Sequence, residues 1–128
     1  MSFELNAIAP DKSLVQPPML TGSDILAVKA ETKSAWYMLS GRHSTSKVVL
    51  TVKPASLGGW LARARAVTMR GDRIALVLDG KSVGEMTLMQ SPTDSFFEID
   101  AAFYSSGNEE RRADATRKLV KEIKASLK

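Results

Sequence analysis

The chain changes its hydrophobic period once, near Ser105. Before that point apolar residues recur at every second position in short runs separated by Gly, Pro, Asn and Asp. Beyond it, Ala113, Thr116, Leu119, Val120, Ile123 and Leu127 fall at the i, i+3, i+4 and i+7 spacing of one helical stripe. Ser106-Gly107-Asn108-Glu109 reads as a capping box. Glu109 and Glu110 sit at the positive end of the helix dipole, and Lys121, Lys124 and Lys128 near its negative end. The pattern predicts an α+β chain, an antiparallel meander sheet followed by a long C-terminal helix over residues 106–128.

Residues 1–23 read as one strand (Phe3, Leu5, Ala7) and then an arm bound by Pro10, Pro17, Pro18 and Gly22. The sheet occupies 24–104. Its candidate strands are Ile25–Lys29, Ala35–Ser40, Lys47–Lys53, Trp60–Met69, Asp72–Asp79 and Phe96–Phe103, with Val83–Met89 a weaker seventh. The breaks are Gly41, Pro54 with Gly58-Gly59, Arg70-Gly71-Asp72, Asp79-Gly80 and Ser91-Pro92. Turns this short join antiparallel neighbours, because a parallel crossover takes a dozen or more residues. With 128 residues, 44% of them hydrophobic, and no repeat or linker, the chain makes one domain. A single helix covers only part of one sheet face, so the stripe Leu119, Val120, Ile123, Leu127 is expected to pack against a second copy.

Strand parity assigns residues to faces. Ile74, Leu76 and Leu78 form one row, with Arg73, Ala75, Val77 and Asp79 opposite. Val48, Leu50 and Val52 separate from Lys47, Val49, Thr51 and Lys53, and Phe97, Ile99, Ala101 and Phe103 from Phe96, Glu98, Asp100 and Ala102. If Trp60–Met69 is a strand, its alanines face one way while Arg63 and Arg65 face the other.

Several chemistries are excluded by composition. There is no cysteine and the one histidine is His43, which leaves no thiolate nucleophile, disulfide or two-histidine metal site. Gly80-Lys81-Ser82-Val83-Gly84 matches G-x-S-x-G, but that elbow needs a strand-to-helix turn and a downstream histidine. A P-loop would need a glycine where Ala75 stands. Arg70-Gly71-Asp72 reads as a turn, and Glu98 and Asp100 as a solvated strand face. No apolar run is long enough to span a bilayer, and the start Met1-Ser2-Phe3-Glu4-Leu5-Asn6 lacks the basic and apolar order of an export signal. No enzyme, metal or cofactor is expected.

The net charge of +4 is unevenly spread. Residues 47–78 hold six Lys and Arg against one acidic residue, and 109–128 seven against four, whereas 79–108 hold one against five. Combined with parity, this predicts a face bearing Lys47, Thr51, Lys53, Arg63, Arg65, Arg73 and Phe96. Cations for phosphates and an aromatic for a splayed base suit single-stranded or looped RNA. The plainer reading is the wet side of an antiparallel sheet.

The passage Phe96-Phe97-Glu98-Ile99-Asp100-Ala101-Ala102-Phe103-Tyr104-Ser105-Ser106-Gly107-Asn108-Glu109-Glu110-Arg111, running into the amphipathic helix, resembles the last strand and first helix of coat proteins of single-stranded RNA bacteriophages. The resemblance implies a homodimer with sheets joined edge to edge and each helix across the partner's sheet, closing into an icosahedral virion shell assembled in the bacterial cytoplasm. It further implies genomic RNA, or an operator hairpin whose binding represses translation, on the inner sheet face. Carried across by strand order, Arg63, Arg65, Arg73, Phe96 and Glu98 would face that RNA, and Gly80–Thr93 would be the loop that adapts around the symmetry axes. The alternative is a small pleckstrin-like module for phosphoinositides or peptides. On the coat reading, Arg63→Ala with Arg65→Ala leaves folding intact and weakens RNA binding.

Overall fold

The computed structural model describes residues 2–37, 41–88 and 91–127. It is α+β, with antiparallel strands and a C-terminal helix, but the strands form two sheets instead of one meander. Strands β1 (Phe3–Ile8), β2 (Leu20–Thr21), β5 (Arg73–Leu78) and β6 (Lys81–Thr87) make the first, in the order β2-β1-β5-β6. Strands β3 (Ile25–Tyr37), β4 (Gly41–Val52) and β7 (Phe96–Asp100) make the second, in the order β3-β4-β7. Among the described residues β1–β2, β3–β4 and β5–β6 are sequential antiparallel pairs. Phe3 of β1 pairs with Leu78 of β5, and Leu50 of β4 with Phe97 of β7, partnerships that no local turn specifies. The separate strands expected at Ile25–Lys29 and Ala35–Ser40 are one, running to Tyr37; positions 38–40 lie outside the described residues.

The largest correction is Trp60–Met69, which is helical. Helix α1 (Leu57–Arg70) follows a 3-10 turn at Pro54–Ser56 and ends at Gly71, whose φ of +72° is the left-handed stop common after helices. The alternation of Ala and Arg satisfies a period of 2, yet both residues are strong helix formers. Trp60, Ala64 and Val67, at i, i+4 and i+7, are the buried positions, while Ala62 and Ala66 are exposed. The Trp60 ring meets Phe97 edge-on, with centroids 5.2 Å apart.

The predicted parity survives within the true strands. Val48, Leu50 and Val52, Ile74, Leu76 and Leu78, and Phe97 and Ile99 all enter one apolar cluster with residues of β1, α1 and the C-terminal helix. Val49, Ala75 and Val77 sit on the opposite faces and are nevertheless buried, so those faces are only partly the wet side the alternation implies. Strand β7 stops at Asp100, whose carboxylate accepts a hydrogen bond from the Ala102 amide and starts a 3-10 turn at Ala101–Phe103. Phe103 therefore leaves the inward row and is exposed.

Helix α2 (Glu109–Ser126) is capped by Asn108, whose Oδ1 accepts from the Arg111 amide at 2.8 Å. Thr116, Leu119, Val120 and Ile123 are buried against β4 and β3 of the same chain, and Leu127 is partly buried against the same cluster. The expectation that this stripe needs a second copy is thus corrected. One flat sheet would leave the stripe partly uncovered, whereas two sheets contributing to one cluster leave room for the helix on its own subunit. The Tyr104 hydroxyl, hydrogen-bonded to Thr116 at 2.6 Å, fastens the preceding turn to α2.

The N-terminal arm zips along β1: the amides of Val15 and Met19 donate to the carbonyls of Ala7 and Leu5, each at 2.8 Å. Asp24 ties this region to α1, accepting from Ser56 Oγ at 2.8 Å and from the Thr21 amide at 3.0 Å. Burial pushes the Asp24 carboxyl up, but its hydrogen bonds from Thr21 and Ser56 and the nearby Arg63 charge outweigh this and hold it below 3.8.

Most of the segment expected as an adaptable loop is strand β6, joined to β5 by Asp79 and Gly80, both at positive φ, the requirement of a tight hairpin. At Gly84 the backbone of β6 runs against the 101–104 turn so closely that a Cβ would come within 2.5 Å of the Phe103 carbonyl oxygen. Gly84→Ala should lower stability by about 1–3 kcal/mol, since backbone must move. Gly58→Ala, with nothing within 4 Å in α1, should be neutral or raise it by up to about 1 kcal/mol. Urea unfolding of both variants checks the pair.

The lowered Asp24 also predicts a pH dependence. Its contribution is present above its unfolded-state pKa near 3.8 and is lost as pH falls through the lower folded-state value. Asp24→Asn should therefore lose less stability than the unmutated chain between neutral pH and pH about 3, measured by urea unfolding.

Candidate nucleic-acid interface

Lys47, Thr51, Phe96 and Glu98 do come together, on the outer face of the β3-β4-β7 sheet. The register places Thr51 opposite Phe96 and Ala27, and Lys47 between Glu31 and Asp100. Lys47 Nζ lies 2.8 Å from Glu98 and 3.8 Å from Glu31, and Glu31 is 3.2 Å from Lys33. The Glu98 hydrogen bond raises the Lys47 pKa, and the Lys33 hydrogen bond lowers that of Glu31. Val49 is buried beneath this lattice. The face is charge-balanced, and Lys47 is already committed to carboxylates. Phe96 remains 57% exposed and borders a shallow groove of about 460 Å³ with Ser91–Asp94.

The other four predicted residues are scattered. Arg73 opens β5 in the other sheet and pairs with Glu85 at 3.4 Å. Lys53 lies beyond the end of β4, exposed beside Ser23 and Ser126. Arg63 and Arg65 belong to α1, where residues two apart point about 160° apart, instead of sharing a strand face. Arg63 is turned inward. Its Nε donates to the Met19 carbonyl at 2.8 Å and its guanidinium lies over Gly59, where a Cβ would come within 2.8 Å of it. Arg65 is exposed beside Leu61 and the Ser91–Thr93 segment. The predicted RNA track of Arg63, Arg65 and Arg73 is therefore not one surface.

The motif-like segments have structural explanations. Gly80-Lys81-Ser82-Val83-Gly84 is a hairpin turn and the start of β6, so no strand-to-helix elbow exists there. Arg70-Gly71-Asp72 is the stop of α1, with Arg70 Nε 2.9 Å from Asp72. Glu98 and Asp100 lie on an open strand face. The His43 side chain lies outside the described residues. Among the described residues no group of His, Asp or Glu is arranged to hold a metal ion, and no helix is long and apolar enough to cross a membrane.

Among the described residues the exposed cations without an ion pair include Lys12, Lys29, Lys53, Arg65, Lys81 and Arg111, and Lys118, Lys121 and Lys124 on α2. Lys121 and Lys124 were legible as helix-end charges; Lys118 was not singled out, though its facing was available from the same wheel that revealed the apolar stripe. Comparison with protein-family models, with curated proteins and with solved structures finds no match to this chain.

Because Arg63 holds the arm to α1, Arg63→Ala should cost about 1.5–3 kcal/mol, the range for a hydrogen bond made by a charged group. Arg65→Ala should stay within about 0.5 kcal/mol. Thermal or urea unfolding of the two single variants separates them.

Proposed function

We propose that this chain is a non-catalytic structural protein that binds single-stranded RNA, working as a coat protein of the single-stranded RNA bacteriophage kind. The observation that carries this reading is the Phe96–Ser126 unit. It folds as an alternating strand with Phe96 and Glu98 outward, a short turn, and an Asn108-capped helix of 18 residues, in the order that the coat-protein resemblance implies. The chain would pair with a second copy, close into an icosahedral shell and reside in the virion after assembly in the bacterial cytoplasm. Since α2 packs on its own β4 and β3, pairing in this reading uses the remaining surfaces, foremost the edge of the 13-residue β3.

A second reading, a pleckstrin-like binding module, is favoured by a different observation: seven antiparallel strands in two sheets share one core with a C-terminal helix whose stripe is already covered. Light scattering and electron microscopy of the purified chain separate the two. Shells in the megadalton range are the expected result for a coat protein. A single species at the 13.9 kDa monomer mass would overturn it and leave the binding module.

A further inference from the structure

The outward side of α2 becomes more basic along its length. Glu109, Glu110, Arg111, Asp114 and Arg117 are exposed in its first half and Lys118, Lys121 and Lys124 in its second, where Glu122 is half-buried. At about 100° per residue Arg117, Lys118, Lys121 and Lys124 fall on one arc opposite the buried Thr116, Leu119, Val120 and Ile123. Arg117 is engaged by Asp114. Lys118, Lys121 and Lys124 make no ion pair among the described residues. The helix dipole accounts for Lys124, the basic residue of the last turn, but its influence fades within that turn and does not account for Lys118. Asp114 and Glu122 stand four residues either side of Lys118, but Lys121 and Lys124 have no carboxylate at that spacing, and like charges at i and i+3 destabilise an isolated helix, so helix pairing gives no reason for those two. At the end of the helix Lys53 lines a groove with Glu4, Ser23 and Ser126.

The geometry points to this face, Lys118, Lys121 and Lys124 with Lys53 beyond them, as the surface along which the phosphate backbone of single-stranded RNA lies. The inference rests on the RNA-binding reading above and relocates its site from strand to helix. Evenly repeated point charges on a rigid element complement a polymer with one negative charge per repeat. A lipid surface fits less well. A helix lying in a bilayer interface must present its apolar stripe to the lipid, and that of α2 is consumed by the core.

The test is fluorescence anisotropy of a labelled oligouridine with the full chain over a range of salt. It uses the unmutated protein, the triple variant Lys118→Gln, Lys121→Gln, Lys124→Gln, and a control of equal charge, Lys12→Gln, Lys29→Gln, Lys81→Gln. All six positions are exposed, and circular dichroism confirms that each variant folds. The α2 variant should bind at least about tenfold more weakly at low salt and lose about two units of the log K against log salt slope, at roughly 0.7 per single-strand phosphate contact. The control should change affinity by less than about threefold. Equal losses in both variants, or none in either, overturn the assignment to α2 while RNA binding itself stands. If the unmutated chain binds no RNA at any salt, or binds phosphoinositide vesicles instead, the RNA reading falls and the inference with it.

Discussion

Burial of one row on β4 holds the molecule together. Val48, Leu50 and Val52 are each at most 1% exposed, and β3, β7 and α2 all lean on the strand that carries them. Full burial of such side chains is worth about 1.5–3 kcal/mol each before entropy is charged against it. The same alternation throws Lys47, Val49 and Thr51 to the far side. There the register sets Lys47 between Glu31 on β3 and Asp100 on β7, with Glu98 two residues along β7 as its diagonal neighbour. The charge lattice on that face follows from the register that the core imposes, without a ligand.

The parts of the fold legible in the sequence are those whose signal is local. The α2 stripe, the Asp79-Gly80 hairpin and the inward rows of β4, β5 and β7 each come from contiguous residues, whereas the cap read as a Ser106–Glu109 box falls on Asn108, so the helix starts at Glu109. Helix α1 was hidden because Ala62-Arg63-Ala64-Arg65-Ala66 fits two periods equally, and Gly58-Gly59 looks like a break. The spacing of Trp60, Ala64 and Val67 was the deciding signal, and it competed with an equally regular alternation. The split into two sheets was not readable at all. It depends on β1 finding β5 and β7 finding β4, and those choices are made by long-range burial, not by turn chemistry.

Of the candidate site, four residues kept their common face and four did not, and the reason differs from residue to residue. Lys47 and Glu98 are close enough to neutralise each other. Arg73 does the same with Glu85 across β5 and β6. Arg63 has become a tether from helix to arm, which turns a residue read as ligand-binding into one that holds the fold. Charge that is paired or buried by folding is withdrawn from recognition. What remains for a polyanion is the charge that folding leaves alone, and α2 holds the densest run of it among the described residues.

The pairing of β1 with β5 also constrains how the chain can be made. Phe3, Leu5 and Ala7 are synthesised some seventy residues before their β5 partners, Leu78, Leu76 and Ile74. Until then three apolar residues are exposed on a nascent strand whose edge has only the N-terminal arm to pair with. Core closure waits still longer, for Ile123 of α2. Pairing of this kind carries the slow nucleation that non-local strand contacts entail. Early release of an incomplete chain leaves an aggregation-prone fragment without a core.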